Sequence, residues 1–105
     1  MKSLKINPQV YDDLKAIGQY IAENNPVKAA EVENEILDGI ERLADFPETG
    51  AKLSNRVSQK TRYRYIITYS YATLYYIEKD AVIVSTVIHL SRDLNALKLD
   101  KFFMP

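Results

Sequence analysis

Residues 62–93 read RYRYIITYSYATLYYIEKDAVIVSTVIHLSRD, and the fold follows from how they are divided. Three runs, Arg62–Tyr69, Tyr71–Ile77 and Ala81–His89, are dense in β-branched and aromatic residues. Such side chains suit a pleated, half-buried surface. Ser70 and then Glu78-Lys79-Asp80 separate the runs. Breaks this short permit antiparallel hairpins, so a three-strand meander is expected. Strand alternation puts Arg62 and Arg64 on one face and Tyr63, Tyr65, Ile67 and Tyr69 on the other. The tyrosines and Ile67 are expected against a covering layer, with the arginines on the open face. In the last run His89 shares its face with Val87 and Ser85.

The first half of the chain supplies the cover. Lys2 to Ile6 alternates and suits a short opening strand. At Asn7-Pro8 an asparagine can cap a helix, and proline at the first helical position gives up an amide that would have no partner. Val10, Leu14, Ile17 and Ile21 then recur at helical spacing, with Asp12, Asp13, Lys15 and Gln19 outward. Asn25-Pro26 repeats the device and opens a second helix with Ala29, Val32 (or Glu33), Ile36, Ile40 and Leu43 as its stripe. Pro47 ends it, and Glu48-Thr49-Gly50 turns the chain. So short a link makes the helices an antiparallel hairpin. The expected fold is α+β, one domain over residues 1–105: an N-terminal strand, the helix hairpin on a small antiparallel sheet, and a short C-terminal tail or helix. Leu94, Leu97 and Phe102 would line that tail, as a fold-back onto the core or as a docking surface.

A chain of 105 residues supports one modest core. It contains no cysteine and one histidine, so neither a disulfide framework nor a structural zinc site is expected, and no cofactor is indicated. No segment has the layout of a signal peptide or the length of a membrane span, so a cytoplasmic protein without membrane contact is expected. The net charge of zero hides an asymmetry. Pro8–Glu48 carries ten acids against three bases, a balance of −7, whereas Thr49 onward balances at +5. Such a molecule can engage a polyanion on one side; two solvated faces of opposite sign are the alternative. The loop from Ala51 to Thr61 is polar, holds Lys52, Arg56 and Lys60 with no acid, and runs into Arg62 and Arg64.

The order of strand, helix hairpin closing on Leu43-Ala44-Asp45-Phe46-Pro47-Glu48-Thr49-Gly50, basic loop and meander resembles the RelE/ParE superfamily of bacterial toxins. So do Tyr63-Arg64-Tyr65, Tyr71, and the ending Ile88-His89-Leu90-Ser91-Arg92-Asp93. The resemblance implies the toxin of a type II toxin–antitoxin module, neutralised by direct binding of a cognate antitoxin. One branch of the superfamily cleaves messenger RNA on the ribosome, and the other poisons DNA gyrase without chemistry of its own. The long helix hairpin is similar to the gyrase branch, and the histidine near the end of the last strand to some ribonucleases.

Cleavage by a 2′-hydroxyl requires proton transfer and cations around the developing phosphorane charge. His89 is the acid–base candidate. Arg64 and Arg92 would complete the catalytic set as phosphate ligands. Arg56, Lys60, Arg62 and Tyr71 are candidates for holding substrate, and Glu48 is a second candidate for proton transfer. The sequence favours ribosome-dependent mRNA cleavage, with ribosome and mRNA as partners. The alternatives are a gyrase inhibitor, in which the hairpin and tail make the contacts, and a decayed toxin that binds only its antitoxin. Each candidate also has a purely structural role open to it: a hydrogen-bonded strand end for His89, edge-protecting charges for Arg62 and Arg64, and packing for the tyrosines.

Overall fold

The computed structural model describes residues 1–58 and 60–92. The expected tail from Leu94, and Asp93 before it, lie outside the described residues. Strand β1 (Ser3–Ile6) leads into helices α1 (Pro8–Ala22) and α2 (Pro26–Arg42). A 3-10 turn at Pro47–Thr49, the two-residue strand β2 (Ala51–Lys52) and a second 3-10 turn at Leu53–Asn55 follow. Strands β3 (Arg64–Thr68), β4 (Tyr71–Ile77) and β5 (Ala81–His89) complete the order.

Both helices begin as their sequences dictate. The Asn7 side chain accepts the Gln9 amide at 2.9 Å, and Asn25 accepts that of Lys28 at 3.0 Å. Each cap is followed by proline, which needs no amide partner. Val10, Leu14 and Ile17 of α1 and Ala29, Val32, Ile36 and Ile40 of α2 are buried. All of these but Ala29 meet Tyr71, Tyr75, Val82, Val84 and Val87 of the sheet in one cluster. Fully burying an aliphatic side chain of this size contributes about 1.5–3 kcal/mol before entropy is charged. Among the described residues no helix is long and apolar enough to cross a membrane.

The sheet has five strands in the order β1-β5-β4-β3-β2, where a three-strand meander was expected. The meander is present as β3-β4-β5, antiparallel throughout. β1 adds to it in parallel along β5, with Ser3 opposite Ala81 and Ile6 opposite Val84. β2 pairs with the start of β3 only, Ala51 with Tyr65 and Lys52 with Arg64. These short edges extend the ladder without long apolar runs, so hydrophobic pattern alone does not announce them.

The faces of β3 are the reverse of the expectation. Ile66 packs with the helix-side cluster, while Tyr63 and Tyr65 belong to a second cluster with Leu53, Val57, Ala72, Leu74 and Ile88. The far face is therefore partly covered, by a loop that reads as polar. Leu53 and Val57, four residues apart in that loop, are buried and supply its cover. With apolar partners on both sides, tyrosines were free to take either.

A bulge between the partners of Leu74 and Tyr75 breaks the alternation of β5. Before it Val82 and Val84 face the helices; after it Val87 does. Ser85 turns to the far face, 2.6 Å from the Tyr63 hydroxyl, and so does not share the face of Val87. One extra residue flips every following side chain. His89, opposite Tyr71, thus ends on the helix side of the sheet.

Candidate functional site

At the β3 end of the molecule the basic and aromatic side chains are held by the protein itself. The Tyr75 hydroxyl, wholly buried, accepts the Gly50 amide at 2.9 Å and donates to the Pro47 carbonyl at 2.7 Å. Burial pushes its pKa up, outweighing the hydrogen bond from Gly50 and the nearby Arg64 charge. Arg64 Nη1 donates to the Gly50 carbonyl at 2.8 Å and, at longer range, to that of Glu48 at 3.4 Å. Tyr75 and Arg64 together clamp the turn Pro47–Gly50. A Cβ at Gly50 would meet the Tyr75 hydroxyl and, at 2.8 Å, the Tyr65 carbonyl, which is why glycine stands there. The motifs Phe-Pro-Glu-Thr-Gly and Tyr-Arg-Tyr are two halves of this one contact.

Arg56 and Arg62 lie on the far face. Arg56 Nε donates to the Tyr65 hydroxyl at 2.8 Å, its guanidinium 5.2 Å from the ring centre. Arg62 lies 4.0 Å over the Tyr76 ring and 3.7 Å from the Glu78 carboxylate. Tyr76 in turn meets Tyr63 edge-on at 5.0 Å. Burial raises the Tyr63 pKa, opposed by its bond with Ser85. Lys60 is exposed in the loop leading to Arg62.

His89 sits at the other end, in a groove of about 450 Å³ between α1 and the close of β5. Asp13, Ile17, Tyr20, Tyr71, Val87 and Arg92 are among its walls. The imidazole Nδ1 accepts the Ser91 amide at 3.0 Å and lies 2.8 Å from the Ser91 hydroxyl. Accepting from a backbone amide places the proton of the neutral ring on Nε2. Tyr71 meets the ring edge-on, centroids 5.2 Å apart. Burial, with Tyr20 nearby, raises the Tyr71 pKa, so its hydroxyl is a donor and not an anion near neutral pH. His89 and Arg92 are both exposed, and Tyr20 is 71% exposed.

The structure therefore brings His89, Tyr71 and Arg92 to one groove and leaves Arg56, Lys60, Arg62 and Arg64 elsewhere. His89 lies opposite Tyr71 and Arg64 opposite Tyr75, four residues along β4 and two strands across. That is about 13 Å along the strands and ~10 Å across them. The expected convergence of the β3 arginines on the imidazole, on an open sheet face, is not found. Arg62 and Arg64 do not lie side by side: one stacks on the far face, and the other reaches the turn. Glu48, on that turn, is likewise at the Arg64 end of the sheet.

Asp13 was expected outward and instead points into the molecule. One oxygen accepts the Thr86 hydroxyl at 2.5 Å and the Val87 amide at 2.9 Å, closing the bulge; the other accepts Gln9 Nε2 at 2.9 Å. Asp13 thereby ties α1 to β5 and sets the floor of the groove. The sequence held a signal: position 13 lies three residues after Val10 and four before Ile17, at the rim of the buried stripe.

Comparison with known proteins places this geometry. A chain of the chromosomal ParDE TA system from P. aeruginosa superposes with a TM-score of 0.70 at 19% sequence identity, covering 87% of this chain and 98% of that one. A search among curated proteins returned no match. The family model described as "ParE toxin of type II toxin-antitoxin system, parDE" matches residues 4–94. That span takes in the helix hairpin, the clamped turn and the groove alike, and the chain belongs to the ParE toxin family of type II toxin–antitoxin systems.

Proposed function

We propose that this toxin arrests growth by inhibiting DNA gyrase without chemistry of its own, and that a cognate antitoxin neutralises it by direct binding. The observation that carries this reading is the use of Arg64: its guanidinium is spent on the carbonyls of the Pro47–Gly50 turn, two strands from His89. A ribonuclease must gather its cations around the phosphate that the proton-transfer group attends. The family match supports the same reading, since the ParE side of the superfamily is the one associated with gyrase. A non-enzymatic inhibitor needs surface in place of a catalytic constellation. The long hairpin offers it, with Tyr11 and Tyr20 of α1 55% and 71% exposed.

Ribosome-dependent mRNA cleavage retains one supporting observation. His89 is exposed beside Tyr71 and Arg92, and among the described residues its side chain's only hydrogen bonds run through Nδ1 to Ser91. In that case His89 transfers the proton, Arg92 holds the phosphate, and Tyr71 donates to it. Induction without antitoxin separates the two. Gyrase inhibition yields double-strand DNA breaks with gyrase attached and transcripts that stay intact. Codon-phased 5′ ends that vanish in His89→Ala would replace it with the nuclease.

A further inference from the structure

We infer that the sheet face turned away from the helices carries a binding site for the phosphate backbone of double-stranded DNA, formed by Arg56, Lys60 and Arg62. The inference goes beyond gyrase inhibition and does not depend on it. The chain from Ala51 to Thr61 contains no acid, and the three cations are exposed. Two of them are held in place by rings of the sheet. Arg56 stands on Tyr65, and Arg62 lies 4.0 Å over Tyr76. Tyr65 is opposite Leu74 on the neighbouring strand, so Tyr76 is its diagonal neighbour. Diagonal positions on one face are about 7–8 Å apart. The two rings thus hold their guanidinium groups on neighbouring strands of one face, where a duplex backbone, with a phosphate about every 3.4 Å of axis along each strand, can meet both. Among the described residues only one of the five N–H donors of Arg56 is committed, to Tyr65.

The aromatic rings decide between nucleic acids. Single strands are held largely by stacking bases on exposed rings. Here Tyr63 and Tyr65 are 3% and 8% exposed, and Arg62 covers Tyr76. Among the described residues this face offers cations and no free ring, which suits a duplex backbone read without sequence. The acids of Pro8–Glu48, balanced at −7, lie largely on the helices beyond the sheet and turn a polyanion toward this face. Glu78, 3.7 Å from Arg62, is an acid that competes with a phosphate. It is 49% exposed, and an exposed pair of this kind exchanges readily.

The test is fluorescence anisotropy of a labelled random-sequence 20-base-pair duplex titrated with purified toxin across a salt series. Three phosphate contacts give a slope of log K on log salt of about −2.7, a loss of about 40-fold between 50 and 200 mM. Arg56→Gln/Arg62→Gln should cut the slope to about −0.9. Because those two arginines also contact rings, Lys60→Gln, with no ring contact among the described residues, provides a second reading, a slope shallower by about 0.9. Glu78→Gln should tighten binding about 2–5-fold, an effect opposite in sign to any loss of structure. Tighter binding to single-stranded RNA of the same length, an unchanged slope in the variants, or no gain from Glu78→Gln overturns the site. Inhibition of gyrase by toxin that binds no duplex removes this inference and leaves the proposed target; duplex binding without inhibition does the reverse.

Discussion

The two ends of the sheet use similar side chains for opposite ends. Around the start of β3, a tyrosine and an arginine are turned inward onto a backbone turn, where Tyr75 and Arg64 satisfy the Gly50 amide and the carbonyls of Pro47, Glu48 and Gly50. At the close of β5, Tyr71, His89 and Arg92 line a groove, and the last two are exposed. Residue type does not distinguish the two cases. What distinguishes them is whether a neighbouring backbone has donors and acceptors left unmet. A 3-10 turn against a sheet has them, and an arginine beside it is consumed. A strand ending beside a helix has few, and among the described residues the His89 side chain hydrogen-bonds only to Ser91.

That contrast is open to measurement. The largest effect belongs to Tyr75→Ala, which removes a fully buried ring and strands the turn; about 4–5 kcal/mol of stability should go, read by urea unfolding. Arg64→Ala should cost about 1.5–3 kcal/mol, because the Gly50 carbonyl loses a charged donor. If Arg64→Ala were as stable as the parent, the clamp would not be what holds the turn. Asp13→Ala should cost about 1–3 kcal/mol by leaving the Val87 amide at the bulge without its acceptor, and hydrogen exchange at Val87 should accelerate.

A graded loss is expected at high pH. Tyr63, Tyr71 and Tyr75 are all pushed above the ordinary tyrosine value of 10.0, chiefly by burial. The folded state therefore holds protons that the unfolded chain releases. Their contribution is complete below pH about 10 and is lost as pH climbs toward the folded values. The thermal midpoint should accordingly fall above pH about 10, less steeply in Tyr71→Phe. The smallest stability effect is that of His89→Ala, within about 0.5 kcal/mol, as befits an exposed strand end.

Much of this architecture was legible in the chain. Asn7-Pro8 and Asn25-Pro26 marked both helix starts, and the three β-rich runs became β3, β4 and β5 with little change of bounds. The edge strands were harder to see. β2 is two residues long, and β1 finds its parallel partner in β5, 75 or more residues away, which no local pattern encodes. The facing of β3 is not legible in the chain, because the far cover rests on two residues, Leu53 and Val57, set in an otherwise polar loop. The bulge at Ser85 was hidden for a different reason: Val84-Ser85-Thr86-Val87 alternates acceptably in either register. The site depends on both features. Arg64 reaches the Pro47–Gly50 turn and not the imidazole, and Asp13, which builds the groove floor, sits at the rim of a helical stripe where the pattern alone points it outward.

The most direct test is a supercoiling assay on purified DNA gyrase with the parent toxin and His89→Ala, each with and without antitoxin. Both forms should block supercoiling, and antitoxin should relieve both. Failure of either form to block it, together with ribosome-dependent transcript cleavage that requires His89, would contradict a toxin that acts by contact alone.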